Sequence, residues 1–413
     1  MDPKDRLYLR DLARRVAEIA ADPIQAERRK LWYAQNVLKP IKPLVFCSPE
    51  GSWVELVPES TLRLQEQPMR GWEYDLRMRI YTWEHFGDDQ VIDAVLDVSH
   101  VSENSGWGVT APQTRTSDTA RGSYIWDPPV KELSDLDKLR YPEVTVDWEA
   151  TQKRLELAQE LFGDILQVRL RSSWWWSLGL MNPWATLRGL EQLMVDMVDN
   201  PEWMHRAMRF LSDGQLHFLD NLQEQGLLSL NNGNQYVGSG TWGWTDELPV
   251  AGYRRDHVRT QDMWGFTEGQ EITAVSPAMH WEFAMQYEVP IHKRFGLTYY
   301  GCCEPLEKKF EYVKRLPNLR AVSVSPWCDI RIAAEALQDA YIYSWKPHPA
   351  HLAAVHFDSD YVRAYIREML EVTRGCVVMM SLKDTHTCNQ QPWRFDEWTR
   401  VAQEETLRAA ERG

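Results

Sequence analysis

From Asp147 onward the chain repeats one unit, a short apolar run followed by an amphipathic stretch, and that repetition restricts the fold more than anything else in the sequence. Ile165–Leu170, Leu227–Leu230, Met263–Phe266, Leu297–Tyr300, Leu319–Val324, Ala340–Tyr343 and Cys376–Leu382 each read as a strand. Helical spacing follows them, for instance through Leu190, Leu193, Met197 and Val198. Strands alternating with helices predict a parallel sheet, because a parallel connection must cross over and a helix does this best. Seven such units, with an eighth strand available before residue 147, favour an α/β fold of the closed (β/α)8 TIM-barrel type over an open doubly wound sheet. No glycine-rich nucleotide fingerprint or phosphate loop is present, which weighs the same way. Residues 147–413 are therefore the main part of the barrel, and residues 1–146 an N-terminal elaboration packed on it.

Within that elaboration, Arg6–Ala21 and Pro23–Val37 have helical periodicity, and Leu44–Cys47 reads as a strand after the Lys39-Pro40-Ile41-Lys42-Pro43 stop. A helix is predicted over 69–85; the rest of 48–146 shows short runs and turn signals without a clear period.

Charge and composition remove several classes of function. The net charge of -14 argues against a nucleic-acid surface or an anionic membrane. The N-terminus lacks the apolar core of a signal peptide, and no run approaches the ~20 apolar residues of a membrane span. Six cysteines in 413 residues do not form a disulfide framework, so a reducing, cytoplasmic setting is expected. The 20 tryptophans exceed what a core needs, and those in loops suit a pocket for a flat organic ligand.

In a barrel the chemistry stands at the C-terminal ends of the strands. Those positions hold Cys302, Cys303 and Glu304; Trp327, Cys328 and Asp329; Trp345, Lys346 and His348; Lys383, Asp384, His386 and Cys388; Asn231, Asn232 and Asn234; and Arg171 with Trp174, Trp175 and Trp176. Thiolates, imidazole and carboxylate converging from several strands suit zinc, with Cys302, Cys303 and Glu304 as ligands and His386 or Cys388 completing the shell. Lys346, Lys383 and Asp384 are the candidate catalytic groups, two cations for an anionic substrate and one carboxylate for proton transfer. Trp242, Trp327, Trp345 and Asn232 are the candidate walls of a substrate pocket. The plain alternatives are that adjacent cysteines pack as small apolar groups and that Asp329 caps a helix.

Leu187-Arg188-Gly189-Leu190-Glu191 leading to Asp199-Asn200-Pro201-Glu202, Ser276-Pro277, the strand into Tyr300-Gly301-Cys302-Cys303 and the closing Cys376–Asp384 segment resemble the uroporphyrinogen decarboxylase superfamily. The resemblance covers roughly residues 150–405, and Pro23–Pro43 is also similar. It implies a (β/α)8 barrel and one of two activities. The decarboxylase branch uses an arginine-rich N-terminal motif, which is missing from this sequence. The second branch holds zinc-dependent methyltransferases that move a methyl group to or from a corrinoid protein or a thiol. In that branch zinc sits on a His-x-Cys pair and a further Cys near the last strand. Here Tyr300-Gly301-Cys302 stands where His-x-Cys would fall, and Cys388 lies several residues beyond the strand. The reading that follows is a zinc methyltransferase acting on a small organic, for example methoxylated, substrate, with a corrinoid carried by a partner protein or a thiol as acceptor. A decarboxylase or carbon–carbon lyase acting on a small or aromatic carboxylic acid is the first alternative. A barrel that binds a corrinoid or tetrapyrrole without turnover is the second. The resemblance also implies a homodimer.

Overall fold

The computed structural model describes residues 2–115 and 123–412. Its parallel strands, numbered here in chain order, are β1 (Leu44–Cys47), β2 (Val95–Val98), β3 (Gln167–Leu170), β4 (Trp264–Thr267), β5 (Leu297–Tyr300), β6 (Leu319–Val324), β7 (Ile342–Trp345) and β8 (Val377–Leu382). Six of them form one sheet in the order β1-β8-β7-β6-β5-β4, and β2 pairs with β3. The result is a TIM-barrel-like α/β arrangement with N- and C-terminal strands side by side. Among the described residues the ladder is not continuous around a ring, since no pairing joins β1 to β2 or β3 to β4.

Two strands came from the N-terminal region. β1, foreseen at Leu44–Cys47, runs in register with Met379–Leu382 of β8. β2 lies inside the stretch that showed no clear period, because Val95-Leu96-Asp97-Val98 carries an acid in its middle. Leu227–Leu230, expected as a strand, makes no ladder. The reason lies one residue on. The side-chain amide of Asn231 accepts from Trp264 N at 2.8 Å and donates to Trp264 O at 2.9 Å, standing in for a strand's peptide group. On β4, Phe266 O is taken by Leu178 N at 2.9 Å. The helix expected over 69–85 spans Met69–Tyr81 and passes into a π turn at Thr82–Phe86.

Alternation along the strands sorts side chains onto two faces. Phe46, Phe266, Tyr299, Ala321, Ile342 and Met379 share the inner cluster. Val45, Tyr300, Val322, Tyr343, Trp345 and Met380 belong to the outer cluster, together with Ile366 and Met369 of helix Ser359–Val372 and Phe395 and Trp398 of helix Trp393–Arg412. Each fully buried aliphatic or aromatic side chain there contributes about 1.5–3 kcal/mol. Inner positions turn polar toward the C-terminal ends, with buried Ser323, Ser344 and Ser381 followed by Lys346 and Lys383. No helix among the described residues is long and apolar enough to cross a membrane.

Candidate active site

Gly301, at φ +89°, ends β5 and turns the chain so that Cys302 and Cys303 follow directly. Glu304 fixes this turn. Its buried carboxylate accepts from Cys302 N at 2.8 Å and from Gly269 N at 3.0 Å, tying the loop after β5 to the loop after β4. Ser323 Oγ adds a hydrogen bond to Cys302 O at 2.5 Å. Cys302 is thereby held at 3 % exposure, its position set from three strand ends.

Around the Cys302 sulfur stand a thiol, a hydroxyl and two ammonium groups. Cys303 Sγ lies 3.5 Å away, Ser239 Oγ donates at 3.1 Å and Lys383 Nζ at 3.9 Å. Lys346, 1 % exposed, donates to Tyr299 OH at 3.2 Å and also to Ser323 Oγ. The hydrogen bond from Cys303 does most to lower the Cys302 thiol; burial opposes it, and Lys346, Lys383 and Ser239 assist, bringing the thiol down to about 7. Cys303 moves the opposite way, raised by that same hydrogen bond and by burial. Burial pushes Lys346 down to about 8, against the thiolate's attraction. Burial also disfavours the charge on Lys383, but Tyr236, Cys302, Glu50 and Asp384 outweigh it and hold the ammonium above the usual lysine range.

Asp384 follows Lys383 in a left-handed conformation, φ +56°. One carboxylate oxygen lies 3.4 Å from Lys383 Nζ and the other 3.5 Å from Cys303 Sγ, where it competes with the Cys302 sulfur, also at 3.5 Å, for the one Cys303 proton. Glu50, from the segment after β1, accepts from Asp384 N at 2.8 Å and stands 3.6 Å from Lys383 Nζ. The three candidate catalytic groups thus converge with Cys302 and Cys303 at the ends of β5, β7 and β8.

The remaining expected ligands go elsewhere. Cys388 is buried in the outer cluster and donates to Glu55 Oε2 at 3.0 Å, which, after burial, helps push its thiol up to about 12. His386 is exposed, in the loop that passes Gly51. Both Glu304 oxygens serve backbone amides. Among the described residues no group of three or more His, Cys, Asp and Glu side chains is placed to hold a metal ion. As a zinc shell the donor set does not fit: with Glu304 and Cys388 committed elsewhere, the two thiols are left with the Asp384 carboxylate, 3.5 Å from Cys303 Sγ but paired with Lys383, and the Lys383 ammonium, 3.9 Å from Cys302 Sγ, repels a cation.

The four expected pocket residues also divide. Trp242 packs edge-on against Phe46 at 5.4 Å and lines a cleft with Phe46, Trp53 and Tyr236. Trp345 belongs to β7 itself, because that strand runs Ile342–Trp345 and not 340–343 as expected; its indole therefore faces outward, 5.1 Å from Tyr365. Trp327 is 60 % exposed and meets His348 at 5.9 Å. Asn232 donates to Leu248 O at 2.6 Å and holds its own loop. Asp329 caps the helix Ile330–Leu337, as the plainer reading had it.

Sequence reading missed Ser239, Tyr299, Glu50 and Tyr236, which make up much of the centre's surroundings. Ser239 sits in the glycine-rich 231–240 stretch, where Gly238 comes so near the Tyr299 ring that a Cβ would stand 2.3 Å from it. That glycine-rich signal was the one available clue.

Neither the family models nor the curated proteins include a match to this chain. Among solved structures, it is similar to a methyltransferase from Methanosarcina mazei. That likeness covers 92% of this chain and 98% of the other at a TM-score of 0.51, with 12% sequence identity. At that identity the likeness shows a shared fold, consistent with the TIM-barrel-like arrangement above.

Proposed function

We propose that this chain is a methyltransferase in which Cys302 carries the methyl group between a small organic donor and a thiol or corrinoid acceptor. The observation that carries the reading is a buried thiol with Ser239 Oγ at 3.1 Å, Cys303 Sγ at 3.5 Å and Lys383 Nζ at 3.9 Å, neighbours that lower its pKa, at the strand ends of a methyltransferase-like fold. A low thiol pKa makes Cys302 a nucleophile at neutral pH and also a good leaving group. In the first half-reaction the Cys302 sulfur attacks the methyl carbon, the C–O bond of a methyl ether breaks, and Lys346 or Lys383 gives a proton to the departing oxygen. In the second, the acceptor attacks the same carbon and the C–S bond breaks; the lysine that gave its proton regains one, from an acceptor thiol or from solvent, so the thiolate again faces ammonium groups. Asp384 and Glu50 hold Lys383 in place, and Cys303 hydrogen-bonds the thiolate. The acceptor's carrier, a corrinoid protein among the options, and a homodimeric assembly belong to the same proposal. Intact-protein mass after mixing with a methoxylated donor, without acceptor, tests it. A gain of one CH2 in the wild type, absent in Cys302→Ser, is expected. Methyl transfer undiminished in Cys302→Ser would sink it.

One observation favours a carbon–carbon lyase as the second reading. Lys346, lowered to about 8, offers free amine near neutral pH and could form an imine with a carbonyl substrate. Borohydride trapping of such a substrate on wild type but not on Lys346→Met would favour that chemistry.

A further inference from the structure

Beside the Cys302 centre lies a cleft of about 420 Å³, within the ~300–1,000 Å³ range of small-molecule sites. Its lining runs from Arg171 past Trp176 and Phe266 to Tyr236, Val237 and Gly238. Ser239, the residue after Gly238 in the chain, does not line the cleft but donates to Cys302 Sγ at 3.1 Å, so the loop that borders the cleft continues directly to the thiol. Tyr236 also lines the second cleft, with Phe46 and Trp242.

We propose that this cleft binds an aromatic carboxylate, with Arg171 as the anion anchor and Trp176 and Phe266 as ring contacts. The assignment rests on Cys302 being the reaction centre and names the substrate class for it.

Charge accounting supports the anchor. Among the described residues lining the cleft, Arg171 alone carries a full charge at neutral pH, and no carboxylate faces it. Its one acidic neighbour, Asp97, stands 3.6 Å away and is already held by Arg169 at 2.8 Å. Two guanidinium groups therefore share one carboxylate. Arg171 Nε is buried with no hydrogen-bond partner among the described residues. Burial lowers the Arg171 pKa, as expected of a cation short of counter-charge. A ligand carboxylate can meet the open part of the Arg171 guanidinium, whose side chain is 18 % exposed, and would supply the counter-charge that Asp97 divides with Arg169.

The walls support a ring. Trp176 is 47 % exposed although it meets Phe266 edge-on at 5.3 Å and 80°, leaving indole surface uncovered at the cleft. Trp174 and Trp175 are committed behind it, the first to Leu227 O at 2.9 Å and the second to Phe295 at 5.9 Å. A flat ligand offset-stacked or edge-on here gains the ~0.5–1.5 kcal/mol of aromatic pairing beyond its burial.

Calorimetric titration with 4-methoxybenzoate, and with methoxybenzene as its uncharged counterpart, tests the assignment. Wild type should bind 4-methoxybenzoate at least tenfold more tightly than methoxybenzene. Arg171→Gln should weaken the carboxylate at least tenfold and leave methoxybenzene unchanged; Trp176→Leu should weaken both. Cys302→Ser should bind as wild type does, so a failure of the methyl-transfer reading leaves this result intact. Equal binding of the two probes by wild type, or wild-type affinity for the carboxylate in folded Arg171→Gln, overturns the proposal. If Arg171→Gln does not fold, Trp176→Leu, altered at an exposed side chain, decides: unchanged affinity for 4-methoxybenzoate overturns it.

Discussion

Cys302 and Cys388 occupy equivalent places in the sequence, each a few residues past the end of a strand in the same sheet, yet they have opposite chemistry. Cys302 follows β5 and meets Lys383, Ser239 and the Cys303 thiol, and its pKa falls to about 7. Cys388 follows β8, is buried against Glu55, and its pKa rises to about 12. Burial disfavours the thiolate in both. The sign of the neighbouring charge and the direction of the hydrogen bond decide the difference: donors stabilise the thiolate at Cys302, while an acceptor holds the proton on Cys388. A strand-end thiol is thus reactive or inert according to residues brought from other strands.

The largest effect separating the two should come from removing each sulfur. Cys302→Ser should lower methyl transfer by at least ~10³-fold, since a serine hydroxyl is far from ionised at neutral pH. Cys388→Ser should keep activity within about threefold and cost about 1–3 kcal/mol in urea unfolding, as expected for a buried, hydrogen-bonded core position. Comparable activity losses in both would break the comparison.

Next in size is the ammonium beside Cys302. Lys383→Met should raise the Cys302 pKa and slow its alkylation by iodoacetamide at pH 7 several-fold. Cys388 alkylation should not change. An unchanged Cys302 rate would show that Lys383 does not support the thiolate.

Elemental analysis sharpens the comparison from the metal side. A zinc ion on Cys302, Cys303 and Glu304 would need His386 or Cys388 to complete its shell, whereas both Glu304 oxygens accept from backbone amides and Cys388 donates to Glu55. Protein purified without chelator should hold well under one zinc per chain, and a chelator should leave activity intact. Stoichiometric zinc, lost in Cys302→Ser with the fold retained, would contradict the lysine-flanked account.

The smallest effect belongs to Glu55→Gln. The amide oxygen can still accept from the backbone at Cys388 and Gln390, which donate to Glu55 Oε2 at 3.0 Å each. A melting-temperature loss of a few degrees is expected, with Cys302 reactivity at its wild-type value.

Strand positions were legible where apolar runs were bounded by turn signals: β1, β5 and β6 match their expected limits residue for residue. β7 starts two residues later than expected, and that shift of an even number keeps the alternation but moves Trp345 from a pocket wall into the strand. Leu227–Leu230 failed because periodicity does not reveal that the Asn231 side chain replaces a ladder. At the candidate site, the strand-end rule singled out Cys302, Cys303, Lys346, Lys383 and Asp384, which the fold brings near one another. It could not find which would face one another, because Ser239, Tyr299 and Glu50 reach them from distant parts of the chain. Residue type suggested a metal; it did not show that Lys383, Ser239 and Cys303 would stand around the Cys302 sulfur.

The central claim is that Cys302 is ionised near neutral pH because of the groups around it. The rate of iodoacetamide alkylation at Cys302, followed site by site by peptide mass from pH 5 to 10, tests this most directly. The account predicts a rise with a midpoint near 7, while Cys388 stays unreactive until well above pH 9. A Cys302 midpoint near that of an ordinary thiol, about 8.5, or a Cys388 that reacts first, would contradict it.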